Sequence, residues 1–156
     1  MINPQELRIG NFILFNGEPT MVKGILADAV MLDGTMPLEG DGTYEEHITI
    51  PANNDSLKPL PLSGTLLEAL RKGRWEDDFG IQYQYHSRSG HYTIRKDEDG
   101  YYIGMYKSDG PVHITPGHIL YLHQLQNIHF AQYGYEMDVH EHDVIIAWRT
   151  VQMFKH

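Results

Sequence analysis

Between Gly110 and Tyr135 the chain runs for 26 residues without Asp, Glu, Lys or Arg, yet carries four histidines. Thr115 can cap a helix, Pro116 occupies the favoured first position, and Gly134 suits the stop, so one long helix over residues 116–133 is predicted. At 100° per residue His118, Leu122, Leu125 and His129 share a side, with Ile119, His123 and Phe130 roughly opposite. A helix that is apolar around most of its circumference and has no fixed charge is covered on more than one face, so this segment should organise the fold.

The segments before it read as β structure. Residues 7–32 alternate as a meander with a turn or bulge at Gly10-Asn11, a hairpin turn at Asn16-Gly17, strands over 20–26 and 29–32, and a turn at Asp33-Gly34. A polar loop over 37–43 leads to a returning strand, Tyr44–Pro51. Short strands with tight turns suggest a small SH3-like barrel or a plain meander over residues 1–58. A Pro/Asn-rich connector, 51–62, precedes a short helix capped by Ser63, with Leu66, Leu67 and Leu70 on its apolar face, Arg71 and Lys72 in its last turn, and Gly73 as its stop. Residues 79–114 read as a four-stranded antiparallel meander with turns at 87–90, 97–100 and 108–110. After the long helix, the tail offers one or two strands with Val144, Ile145, Ile146 and Trp148 as core candidates. The expected class is α+β: an N-terminal SH3-like β-barrel or meander, then a short helix, an antiparallel sheet and one long packed helix, residues 59–156 forming the second part.

Composition narrows the function classes. With 156 residues the chain can bury one substantial core. It has no cysteine, which removes disulfides, thiolate zinc sites and cysteine nucleophiles and fits a reducing compartment. No run approaches a membrane span and the first residues are not a secretory signal, so a cytoplasmic protein is expected. The net charge is −9. Residues 1–62 hold 3 basic and 9 acidic side chains, and residues 63–156 hold 9 and 12. Neither part offers the positive excess that a phosphate backbone demands, so no nucleic-acid partner is expected. The chain is histidine-rich, and protonating all ten would carry −9 to +1, so charge repulsion should vanish in mild acid.

His140-Glu141-His142 is the sharpest metal-like feature. On a strand both imidazoles point to one face, and His47, His86, His91 or His113 could supply a third ligand. Two locatable ligands fall short of a site, and a solvated strand end or hairpin turn accounts for them better. On the helix, His118 and His129 lie eleven residues apart, roughly 16 Å, too far for one ion. His123 and Asn127 are one turn apart and could bind a ligand or satisfy the core. Arg71, Lys72, Arg74 and Trp75 form a basic-aromatic cluster that Glu76, Asp77 and Asp78 cancel. Asp97-Glu98-Asp99-Gly100 lacks the calcium-loop pattern and reads as a hairpin turn. There is no nucleophile elbow, Walker loop or dinucleotide fingerprint.

Three segments together carry a resemblance: Leu7-Arg8-Ile9-Gly10-Asn11; Pro59-Leu60-Pro61-Leu62-Ser63 leading into a Leu-rich helix; and Tyr121-Leu122-His123-Gln124-Leu125-Gln126-Asn127 running on to Phe130-Ala131 and Gly134. Their order and spacing over residues 6–139 resemble a family of short uncharacterised bacterial proteins often found near mobile elements or prophage genes. The resemblance implies a small intracellular protein and brings no activity with it. Gly64 and Thr65 depart from that pattern, standing where acidic residues are common.

The expectation is therefore a non-catalytic binding or interaction protein with an unidentified protein partner, His123, Gln124, Gln126 and Asn127 being the binding candidates. The alternative is a metal-dependent, hydrolase-like enzyme using His140 and His142. No cofactor is expected beyond a divalent metal at that pair, and homo-oligomerisation is left open.

Overall fold

The computed structural model describes residues 2–37, 44–70, 73–77, 80–87, 90–107, 110–113, 115 and 117–155. The chain begins with a single 3-10 turn, Pro4–Glu6, whose start is capped by the Asn3 side chain accepting from the Gln5 N–H at 3.0 Å. Five strands follow: β1 (Phe12–Phe15), β2 (Glu18–Ile25), β3 (Ala29–Pro37), β4 (Tyr44–Pro51) and β5 (Leu57–Pro59). They form one antiparallel sheet in the order β4-β3-β2-β1-β5, curled into a half-barrel. Ile2, Leu7, Ile13, Val22, Val30, Leu32 and Leu57 make its core, with Phe15, Ile25, Ile48 and Ile50 packed around them.

The Asn16-Gly17 turn is as expected: both residues have positive φ, at 52° and 81°, as a tight hairpin of this kind requires. Asp33-Gly34 is not a turn. β3 runs on to Pro37, and its register with β4 slips between Asp33 and Met36, so the glycine sits in a bulge rather than a reversal. The connector hides a strand: Leu57–Pro59 pairs with β1 despite its proline, which a three-residue edge strand tolerates. Much of the 37–43 loop lies outside the described residues.

Helix α1 (Gly64–Ala69) is capped as expected, the Ser63 hydroxyl accepting from the Leu66 N–H at 3.1 Å, with Leu66, Leu67 and Leu70 buried. Gly64 at its start has no room for a side chain without displacing Tyr83: a Cβ there would lie 2.5 Å from the Tyr83 hydroxyl. Gly73 does not stop this helix. It opens β6 (Gly73–Asp77), an edge strand added to β7 (Gly80–Ser87), β8 (Gly90–Lys96), β9 (Tyr101–Lys107) and β10 (Gly110–His113). The second sheet is thus a five-stranded meander in chain order, one strand wider than expected.

The long helix is shorter than its sequence suggests: α2 spans Leu122–Tyr133. Thr115 does not cap it. Its hydroxyl and its N–H face the backbone of Ile103, both at 3.4 Å, so the residue is spent on β9. Residues 119–121 are extended, Ile119 bridging Tyr101 and Tyr121 bridging Pro61. Backbone groups paired in this way cannot enter a helix. Leu122, Leu125, Gln126 and His129 form the buried stripe of α2.

The tail is a helix as well. Residues Glu141–Met153 form α3, whose Val144, Ala147, Trp148 and Val151 recur at helical spacing and whose Glu141 and Asp143 favour the positive N-terminal end. A run rich in Val and Ile looks like a strand until that spacing is weighed against it, and α3 packs on α1. The chain divides into two compact units: Met1–Leu60 with Leu122–Glu136, and Pro61–Tyr121 with Met137–His156. By its contacts helix α2 groups with the first sheet. No helix among the described residues is long and apolar enough to cross a membrane.

Candidate functional site

The residues singled out on α2 are largely committed to the first unit's own backbone. Arg8 to Asn11 form a tight turn closed by the Asn11 N–H donating to the Arg8 carbonyl at 3.1 Å, with Gly10 at φ 97° in the position where such a turn needs a positive angle. The buried Asn11 side chain accepts from the Arg8 N–H at 2.7 Å and donates to the Asn127 Oδ1 at 2.9 Å. Asn127 Nδ2 donates to the Glu6 carbonyl at 2.8 Å. Gln126 grips both sides of the turn's exit: its Oε1 accepts from the Phe12 N–H and its Nε2 donates to the Gly10 carbonyl, each at 3.0 Å. Two side-chain amides thus hold the turn, and residues 8–12 and 126–127 are the two halves of one clamp.

The same helix carries further anchors. The Arg8 guanidinium lies 3.6 Å from the centre of the Phe130 ring and pairs with the Glu136 carboxylate. His129 is buried between Tyr133 and Tyr135, with ring centres 4.9 and 5.2 Å away. His123 is buried, and that burial holds its pKa below the usual imidazole range, against an opposing pull from the Glu6 carboxylate. Gln124 is half-buried. Of the four candidates, Gln126 and Asn127 are held together by the same N-terminal segment.

His140 and His142 both lie at the start of α3, exposed, rather than on one face of a strand. His140 Nε2 is 3.3 Å from Asp138. The side chains of His47, His86, His91 and His113, and those of Arg74 and Trp75, lie outside the described residues. Among the described residues, the group whose ligand atoms lie close enough to hold an ion is a different one: Asp97, Asp99 and His118, mutually within 4.8 Å. Asp97 Oδ1 accepts from the N–H groups of Asp99 and Gly100 across the β8–β9 hairpin, and His118 Nε2 is 2.8 Å from the same carboxylate. That hydrogen bond holds the Asp97 carboxyl below the usual carboxylate range, although burial pulls slightly the other way. Sequence reading missed this trio because it placed His118 on a helix, where it could not reach the hairpin.

An open concavity lies in the first unit. Ile2, Asn3 and Pro4, the β2–β3 turn at Ala27-Asp28, and the end of β4 at Pro51, Ala52 and Asn53 enclose a groove of about 530 Å³. The Ala52 N–H donates to the Asp28 carbonyl at 2.8 Å, which ties two of the three segments together. Half of its lining residues are proline or alanine, and among the described residues Asp28 supplies the only charged side chain in the lining. Sequence gave no signal for it, since loops from three distant positions meet there. Compared with known proteins, the chain matches no family model, no curated protein and no solved structure.

Proposed function

We propose that the protein is a small non-catalytic binding protein, cytoplasmic and of the mobile-element-associated kind its sequence resembles, built on an SH3-like half-barrel. The observation that carries this reading is the groove of about 530 Å³: its size suits a ligand, yet among the described residues its lining has one carboxylate and no second titratable group. General acid–base or nucleophilic chemistry needs at least two such groups in mutual reach. The polar motif residues on α2 add nothing catalytic, because Gln126 and Asn127 are occupied by backbone.

The test is peptide display selected against the folded protein, with Ala52→Trp as a counter-target whose indole fills the groove. Peptides retained by the wild type and lost by the variant support a binding protein. Recovery of no binder, or only of binders indifferent to the variant, overturns it. Circular dichroism and melting of Ala52→Trp establish that the variant is folded.

Metal-dependent hydrolysis is the alternative, and its specific support is Asp97, Asp99 and His118 rather than His140 and His142. Three mixed N/O ligands leave a position open for water, as catalytic zinc sites do. Stoichiometric zinc in the purified protein, lost in His118→Ala and retained in His140→Ala, would favour it. Zinc binding weaker than about 1 mM for the wild type would remove it.

A further inference from the structure

Building on the binding reading, we infer that the groove at Asp28 takes a lysine- or arginine-bearing peptide segment of a partner protein. The charge of the chain is not evenly divided. The first unit, Met1–Leu60 with Leu122–Glu136, holds 3 basic and 10 acidic side chains, a net of −7; the second holds 9 and 11, a net of −2. Most of the molecule's negative field therefore comes from the unit that contains the groove. Asp28 is exposed at the β2–β3 turn, and none of the described side chains pairs with its carboxylate.

The lining is suited to a long cationic side chain. Lys and Arg carry an aliphatic stem beneath a charged head, and both parts must be accommodated. Pro4, Pro51 and Ala52 give the lining apolar surface for the stem, and Asp28 in the same lining can meet the head. Asn53 provides a polar rim that can reach peptide backbone. An acidic or phosphorylated segment would be repelled twice, by Asp28 and by the field of the unit around it. The acidic balance that argues against nucleic acid thus argues for a basic polypeptide.

The experiment uses the full chain and a fluorescein-labelled octapeptide of alternating Lys and Ala, with a Glu/Ala octapeptide as counter-probe, read by fluorescence anisotropy. The Lys/Ala peptide should bind and the Glu/Ala peptide should not. Asp28→Asn should weaken binding about three- to five-fold, the upper part of the range for one exposed ion pair. Glu18→Gln removes the same charge at the opposite end of β2, roughly 25 Å away at strand spacing, and should cost less than about two-fold. Equal losses from the two variants would mean attraction by net charge alone and would overturn the inference, as would absence of Lys/Ala binding. Were peptide display to return neutral or acidic ligands that Ala52→Trp abolishes, this assignment would fall while the binding reading stood.

Discussion

Replacing Gln126 by leucine removes both arms of the clamp between α2 and the Arg8–Asn11 turn. The side chain is 2% exposed, so water cannot readily take its place. The Phe12 N–H and the Gly10 carbonyl would each lose a 3.0 Å partner. An unsatisfied buried polar group costs about 1–3 kcal/mol, so the two together cost about 2–6 kcal/mol. Leucine returns about 1–2 kcal/mol through apolar burial, leaving a net loss of about 1–4 kcal/mol. Both tryptophans, Trp75 and Trp148, lie in the second unit, so their fluorescence is the wrong reporter. Urea unfolding should be followed by far-ultraviolet circular dichroism, with amide hydrogen exchange at Phe12 as the local readout. Gln132→Leu, on the exposed side of the same helix, is the control and should stay within about 0.5 kcal/mol of wild type. If Gln126→Leu behaved like that control and the Phe12 amide stayed protected, the clamp would contribute nothing and its reading as structural would be wrong.

Three further outcomes are expected. Gly10→Ala should cost about 1–2 kcal/mol by urea titration from backbone strain alone, since its Cβ would only touch Glu136 at an ordinary 3.9 Å; an unchanged midpoint would show that the turn tolerates a side chain. His118→Ala should raise the Asp97 carboxyl pKa toward its ordinary value in a carbon-detected NMR titration, and no movement would show that the hydrogen bond from His118 does not depress it. His123 has a folded pKa below its unfolded one, so the unfolded chain takes up its proton first and the neutral, buried form contributes stability above about pH 6.5 that is lost as pH falls below it. The urea midpoint should therefore drop between about pH 7.5 and 5.5 more steeply in wild type than in His123→Gln; parallel slopes would refute this.

How much of this could be read from the residues varies by element. Turns with local chemistry were legible: Asn16-Gly17, Gly10-Asn11, the 97–100 hairpin and the Ser63 cap each depend on a few adjacent residues. Elements decided by distant partners were not. Thr115-Pro116 has a helix start's chemistry, but Ile103 and Tyr101 pair with the backbone there and delay the helix to Leu122. Leu57–Pro59 becomes a strand only because β1 has a free edge. In the tail, Val144, Ile145 and Ile146 favour a strand locally, whereas the buried face that includes Val144 and Ala147 fits a helix against α1. For the sites, the importance of Gln126 and Asn127 could be suspected, but not that their partner is the backbone near residue 10. The Asp97–His118 pairing was hidden by the misplaced helix, and the groove by its three separated segments.

The clamp also sets a timetable for biogenesis. Asn11 and Asn127 are separated by 116 residues, which a ribosome adds in about 6–23 s. The strands of the N-terminal sheet are complete at Pro59, so in the later part of that interval the sheet exists with the Phe12 N–H and the Gly10 carbonyl still waiting for Gln126. A chaperone that guards nascent chains would meet this protein there, and a ribosome stalled near codon 120 would display the half-barrel without its closing piece.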